Sequence, residues 1–401
     1  MKQALLGAAA GLAIGGAAFA QDAPTDAPPS ESPTAYQVET IASGLATPFA
    51  FALLPDGNFL VTERTGTLRL VRPDGWVSMP VAGTPGVKFG SASGLHDVVL
   101  DPDFEANRLV WLTYFKPPEG ETPGIWPRGL IGEWNAQPLE WRNEHPLGTE
   151  MLAVGRLSAD GLSLTDVRDV VAGADRRIAF APDGTIYVSG AERYRFTEGD
   201  WDVDGGPGPL PLETRRQYSG RVLHVTRDGA PAAGNPFGDE TFSFGHRDPE
   251  GIAIHPETGE LWLVEHGPMG GDELNVIRAG NDYGWPNVSY GLQYSGDPVA
   301  DGESAGEGYE PPIYTWTPSI GPSSLVFYDG AMFPDWRGDL LVGSMPLTHL
   351  VRLELDGERI VAEESLLDEL EERIRDFTVG PEGELYVLTD AASILKVTPA
   401  E

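Results

Sequence analysis

The sequence predicts an all-β protein, a six-bladed β-propeller, and two observations carry that prediction. A strand-turn-strand phrase recurs six times, and almost nothing between the copies has helical spacing. The phrase appears as FALLPDG at 51–57, VVLDPDF at 98–104, IAFAPDG at 178–184, IAIHPETG at 252–259, LVFYDG at 325–330 and FTVGPEG at 377–383, with starts 47 to 80 residues apart. Each copy opens on a short apolar run and reaches an acidic or Gly-containing turn of the kind that closes a hairpin. A second strand such as TIYVSG or ELWLVEHG follows. Beyond these lie outer strands such as GRVLHVTRDG (220–229) and HLVRLELDG (349–357). One such sheet cannot bury both of its faces, whereas six packed radially do. The one helix-like run is 364–373, read as a short amphipathic surface cover with Leu366, Leu367 and Leu370 on one side.

The N-terminus has one lysine, an apolar Leu/Ala/Ile/Gly run and Ala-Phe-Ala before Gln21, which predicts a secretory signal peptide over 1–20 and a periplasmic or secreted protein. Residues 21–37 are rich in Pro, Ser and acid and read as a disordered linker, leaving 38–401 as a single propeller domain. There is no cysteine, so neither disulfides nor thiolate metal sites are available. With 61 acidic against 27 basic residues the formal charge is −34, which argues against nucleic acid and anionic membranes as partners and favours a monomer.

Three polar constellations stand out. The densest is FGHRDPEG at 244–251, followed by EHGPMGGDELN at 265–275, where a strand delivers Glu265 and His266 to a glycine-rich loop. Carboxylates and carbonyls without thiolates suit a hard cation such as Ca2+; the plain alternative is a rigid loop whose Asp272 and Glu273 cap backbone and hold Arg247. In Arg373-Ile-Arg375-Asp376 the two arginines share one face of an extended segment, fit either to clamp a polycarboxylate or to make one surface residue and one ion pair with Asp376. YTWTPSIGPS at 314–323 offers either the floor of a planar ligand site or a blade seal.

The phrases GLATPFAFALLPDGNFLVTERTGTLRLV, GHRDPEGIAIHPETGELWLVEHGPMGGDELNVIRAGNDYGWPNVSYG, YTWTPSIGPSSLVFY and RIRDFTVGPEGELYVLTD resemble the soluble pyrroloquinoline quinone (PQQ)-dependent sugar dehydrogenases, the glucose/sorbosone dehydrogenase family, over nearly all of 38–399. The resemblance implies a periplasmic enzyme that binds PQQ and Ca2+ at the propeller mouth. It also implies oxidation of an aldose at the C1 hydroxyl, with a histidine as base and hydride passing to the quinone. Residue by residue, it places Glu265, Gly267, Pro268 and Asp272 at the calcium loop and Arg373 and Arg375 at the cofactor's carboxylates. Tyr314, Trp316 and Ser319 fall on its aromatic and hydroxyl side. His266 becomes a pocket wall or cofactor contact, and Arg193 and Arg195 replace donors of the following loop.

Other family features are missing. The usual histidine falls at Gly173, its small neighbours become Asp175 and Arg176, an expected glutamine falls at Ala92, and an expected lysine falls at Met345 or Pro346. A general base is worth ~10²- to 10⁴-fold in rate, about 3 to 5 kcal/mol of barrier, so the loss has to be compensated if turnover is kept. His96 and Asp175 are the candidate substitutes. The leading expectation is a divergent PQQ- and calcium-dependent oxidoreductase acting on the C1 hydroxyl of a sugar or on a related alcohol, with a separate electron acceptor. Two alternatives stay open: a binding propeller without turnover, and a calcium-assisted lactone hydrolase.

Overall fold

The computed structural model describes residues 27–31, 33–90, 93–125, 148–192, 211–218, 220–346 and 349–400. The proposed signal peptide and residues 126–147 and 193–210, Arg193 and Arg195 among them, lie outside them. Within the described residues there are five four-stranded sheets, one three-stranded sheet and one two-stranded pair. Blade 1 is Pro48–Leu53, Phe59–Glu63 and Thr67–Val71. Blade 2 begins at Leu95–Leu100, blade 3 at Ile178–Phe180, blade 4 at Pro249–Ile254, blade 5 at Pro322–Phe327 and blade 6 at Ile374–Val379. All six recurring phrases therefore lie on the innermost strands of blades. The fourth strand of blade 6 is Tyr36–Ala42 from the other end of the chain, paired antiparallel with Ile394–Pro399, so that the ring is fastened by the two termini.

Alternation explains why the ring holds. In Phe59–Glu63, Leu60 points into a cluster shared with blade 2 while its neighbour Val61 points into one shared with blade 6. The described residues form six such apolar clusters, one at each blade junction. A buried Leu or Val contributes about 1.5 to 3 kcal/mol, so each blade is held by two neighbours and has little stability alone.

Two expectations need correction. The run at 364–373 is not a helix: Arg359–Leu366 is the outer strand of blade 5, and only Asp368–Leu370 forms a 3-10 turn. Ile360, Ala362, Glu364 and Leu366 alternate inward, and Glu364 accepts from Arg352 Nε at 2.8 Å, which a surface helix would forfeit. The linker is also not free throughout, because Ser30 donates its backbone N–H to Glu363 and Pro29 bridges the same residue at the edge of blade 5.

At the axis, one side chain joins all six blades. Arg177, just before the inner strand of blade 3, is 5% exposed. Its Nε donates to the Glu250 carbonyl of blade 4 at 2.7 Å and its Nη2 to the Ser323 carbonyl of blade 5 at 2.5 Å and the Arg375 carbonyl of blade 6 at 3.2 Å. Its Nη1 lies 3.3 Å from Asp97 of blade 2 and 3.4 Å from Asp376 of blade 6, and its guanidinium lies over Phe49 of blade 1. Burial opposes its charge, but Asp376, Asp97 and Glu250 outweigh that and raise its pKa. Arg177→Met leaves two buried carboxylates uncompensated and should cost about 3 to 5 kcal/mol in urea unfolding, whereas a loss under 1 kcal/mol would show that the hub is dispensable.

Candidate functional site

The loop that carries Arg177 to the axis also lays Asp175 and Arg176 across the mouth. Arg176, 3% exposed, meets three carboxylates: Asp175 Oδ2 at 3.1 Å, Asp248 Oδ1 at 3.1 Å and Glu250 Oε1 at 3.5 Å. Burial works to raise the Asp248 pKa, but Arg176 first, then His266 and Arg247, outweigh it and hold the carboxylate ionised. The ring of His266 donates from Nε2 to the Pro322 carbonyl at 2.9 Å, a partner that can only accept, and this leaves Nδ1 facing Asp248 Oδ2 at 3.9 Å.

Neither substitute base is presented as a free one. His96 is 1% exposed, its Nδ1 lies 2.7 Å from the Asp175 carbonyl, and its ring packs on Phe49. Burial, then the nearby Arg176 and Arg64 charges, push its pKa well below the ordinary histidine value. Asp175 is committed to Arg176. Gly173 has φ of +107°, a conformation that side-chain-bearing residues seldom take, so an imidazole at this position would need a rebuilt loop and not a simple replacement.

The glycine-rich loop joins two adjacent strands of blade 4, Leu261–Glu265 and Asp272–Ile277. Asp272 clasps it shut: its Oδ1 accepts from Gly267 N–H at 2.9 Å, and its Oδ2 accepts from the Ser319 hydroxyl and Gly321 N–H, each at 2.7 Å. Gly271 has φ of +68°, and a Cβ there would come within 2.3 Å of the Gly291 nitrogen. Glu265 accepts from Arg247 N–H at 2.6 Å and Asn275 Nδ2 at 3.1 Å, and pairs with His246 at 2.8 Å. The Gly267 carbonyl accepts from Arg247 Nη1 at 3.0 Å. Sequence reasoning passed over Glu273 as a ligand, although hairpin register places it directly opposite Glu265. Burial, with the charge of Glu265 beside it, pushes the Glu273 pKa well above the usual carboxylate range, and Asn275 Oδ1 nearby is buried without a hydrogen-bond partner. Glu265 and Glu273 line a small pocket with Arg247, His266, Tyr283 and Trp285. Asn275 Nδ2 also donates to Glu273 Oε2 at 3.1 Å, so the amide presents its N–H end to both carboxylates, and those two carboxylates are the oxygen donors suited to Ca2+.

Arginines gather at the same mouth. Arg247 lies over Trp285, with its Nε buried and unpartnered. Arg375 grips Asp390 with two bonds of 2.8 and 3.0 Å, while Arg373, with its side chain 57% exposed, reaches the same carboxylate at 4.0 Å. Asp376 therefore serves Arg177 and not the arginine pair. Arg64 has its pKa lowered by burial and then by the charges of Arg375 and Arg176, so like charges crowd together here. Tyr314 and Trp316 do not line the mouth: they sit in the outermost strand of blade 4, buried in the core shared with blade 5, and Tyr314 donates to Glu363 at 3.0 Å. Ser319 is brought to the loop through Asp272.

The family described as Glucose / Sorbosone dehydrogenase matches residues 45–396. Aldose sugar dehydrogenase YliI of Escherichia coli (strain K12) is 32% identical over 389 residues, covering 92% of this chain and 94% of that protein. Quinoprotein glucose dehydrogenase B of Acinetobacter calcoaceticus is 25% identical over 425 residues, covering 89% and 86%. The crystal structure of the soluble E. coli aldose sugar dehydrogenase in its apo-form superposes with a TM-score of 0.75 at 30% identity, covering 91% of this chain and all of that one.

A pH dependence follows from His96. Its folded pKa lies below the unfolded value near 6.5, so the unfolded chain takes up a proton that the folded chain refuses, and stability is lost as pH falls through that value. Between pH 7 and pH 5 the wild-type chain should lose about 2 kcal/mol relative to His96→Asn, read from urea midpoints. Parallel losses in the two proteins would mean that His96 is protonated in the fold.

Proposed function

The chain belongs to the glucose/sorbosone dehydrogenase family, and from that premise we propose that it is an exported quinoprotein oxidoreductase that uses PQQ and Ca2+ to oxidise the C1 hydroxyl of an aldose or a related alcohol. The observation that carries the reading is the gathering of Arg64, Arg247, Arg373 and Arg375 at one mouth of a chain whose formal charge is −34. Clustered cations in so acidic a protein mark a site for a small polyanion, and PQQ carries three carboxylates. Arg373, the most exposed of them, is the donor most available to a cofactor carboxylate, while Arg375 has to share itself with Asp390.

PQQ, when bound, supplies the two-electron acceptor. The chain's own contribution is to hold and orient. Arg247 and Trp285 offer a cationic edge and an aromatic wall, and the Arg177 hub keeps the inner-strand starts fixed beneath them. The proton from the sugar hydroxyl requires an acceptor. With Gly173, His96 and Asp175 unsuited, the Asp248, Glu250 and His266 cluster is the acceptor we assign. Glu265 and Glu273 are the donor pair for Ca2+. The N-terminal signal supports a periplasmic or secreted location, and no helix of the described residues is long and apolar enough to cross a membrane. A binding propeller without turnover is the second reading, favoured by the buried Arg176 and Asp175 pair beside the position where the family's histidine is expected.

Purified protein reconstituted with PQQ and CaCl2 should bind about one PQQ per chain by absorption titration and reduce a dye in the presence of aldoses. Arg373→Gln should weaken PQQ binding roughly 10- to 100-fold with little change in melting temperature. PQQ binding without dye reduction would support the second reading, and absence of PQQ binding would defeat both. For calcium, Glu273→Gln should raise the melting temperature in EDTA at pH 8 and abolish the further rise that CaCl2 gives the wild type. A calcium-induced rise that survives the substitution would place the ion elsewhere.

A further inference from the structure

We propose that Asp248, Glu250 and His266 form a site for one divalent first-row transition cation, separate from the oxygen-only Glu265 and Glu273 pair. One ligand atom from each of the three residues lies within 4.8 Å of the others. The chain brings them together from two adjacent strands: Asp248 and Glu250 flank Pro249 at the start of the inner strand of blade 4, and His266 follows Glu265 at the end of the next.

Two independent observations point to a ligand. Glu250 is 7% exposed, yet its Oε2 is buried without a hydrogen-bond partner, an arrangement that is unfavourable for a carboxylate unless something binds it. The Pro322 carbonyl takes the Nε2 proton of His266, so Nδ1 is the ring atom left to face Asp248 Oδ2 across 3.9 Å, and in the neutral ring that metal binding requires both atoms are acceptors. A metal ion bridges two such acceptors at this separation, since ligand distances of about 2.0 to 2.2 Å place neighbouring donors roughly 3 to 4 Å apart.

Arg176 does not already satisfy the set. It binds Asp248 through Oδ1 and approaches Glu250 through Oε1, the oxygens opposite those left over, and it brings one positive charge to three carboxylates. It therefore acts as an outer partner that orients the ligands, as carboxylates and carbonyls do for histidine ligands elsewhere. The mixed imidazole and carboxylate chemistry selects Zn2+, Mn2+ or their neighbours over Ca2+. Three protein ligands leave a position for water, and a water bound there would ionise near neutrality and serve as the proton acceptor absent at Gly173. The inference goes beyond the quinoprotein reading, because the metal site stands or falls without PQQ.

The test uses the full chain, stripped with EDTA and free of PQQ, dialysed against Zn2+ in the presence of millimolar CaCl2, with bound zinc counted by elemental analysis. About one zinc per chain should be retained. Glu250→Gln and His266→Gln should each weaken binding at least about tenfold, and Glu273→Gln should leave it unchanged. Co2+ in place of Zn2+ should give a visible absorption band that His266→Gln removes. Failure to retain zinc against calcium, or equal zinc affinity in wild type and a folded His266→Gln variant, would overturn the proposal. Should Glu250→Gln fail to fold, His266→Gln decides alone, since that side chain is 20% exposed and at the rim. Zinc binding in a chain that takes up no PQQ would support the site while removing the quinoprotein reading.

Discussion

Everything at the mouth depends on the charge that Arg177 carries down the propeller axis. The apolar clusters between blades supply the bulk of the stability, but they are pairwise and leave the inner-strand starts without a common reference. Arg177 provides that reference through carbonyls, carboxylates and an aromatic ring drawn from all the other blades. Its counter-ions are shared outward in turn. Asp376 also accepts the Phe51 N–H of blade 1, and Asp97 accepts the Ile178 N–H of blade 3. Asp97 shows the electrostatic cost of this frame: burial first, and then Asp376, push its pKa to about 6 against the pull of Arg177.

On that frame the loop before the inner strand of blade 3 carries no histidine. The loop that elsewhere in the family is expected to present a histidine here passes through Gly173 in a left-handed conformation and lays down Asp175 and Arg176. Arg176 then collects Asp248 and Glu250, and His266 completes the group from the next strand. The result is two neighbouring centres of different character in one blade: an oxygen-only carboxylate pair behind the glycine loop, and a mixed nitrogen and oxygen cluster above the axis. The surrounding arginines make the mouth attractive to a small anion although the chain as a whole is strongly acidic.

What was legible in the sequence was local. A tight turn between two short apolar runs is specified by neighbouring residues, and so the six inner strands stood out and each lies where its phrase predicted. The 364–373 run misled because Leu366, Leu367 and Leu370 satisfy helical spacing as well as strand alternation, and only the buried Arg352 partner of Glu364 decides between them. Tyr314 and Trp316 were placed near a ligand because depth within a blade is not written in three residues. Glu273 was within reach, since a hairpin between Glu265 and Asp272 fixes its register opposite Glu265. The Arg177 hub was not, because the carbonyls it donates to lie 73 to 198 residues away in the chain.

Hydrogen exchange on Arg177→Lys tests the hub most directly. Lysine keeps the positive charge and loses the planar fork that reaches several blades at once. If the hub orders the mouth, the amides of Phe51 and Ile178, held by Asp376 and Asp97 in blades far apart in sequence, should lose protection together while the outer strands keep theirs. Loss confined to the Ile178 strand, with Phe51 still protected, would contradict the account and make Arg177 a local feature of blade 3.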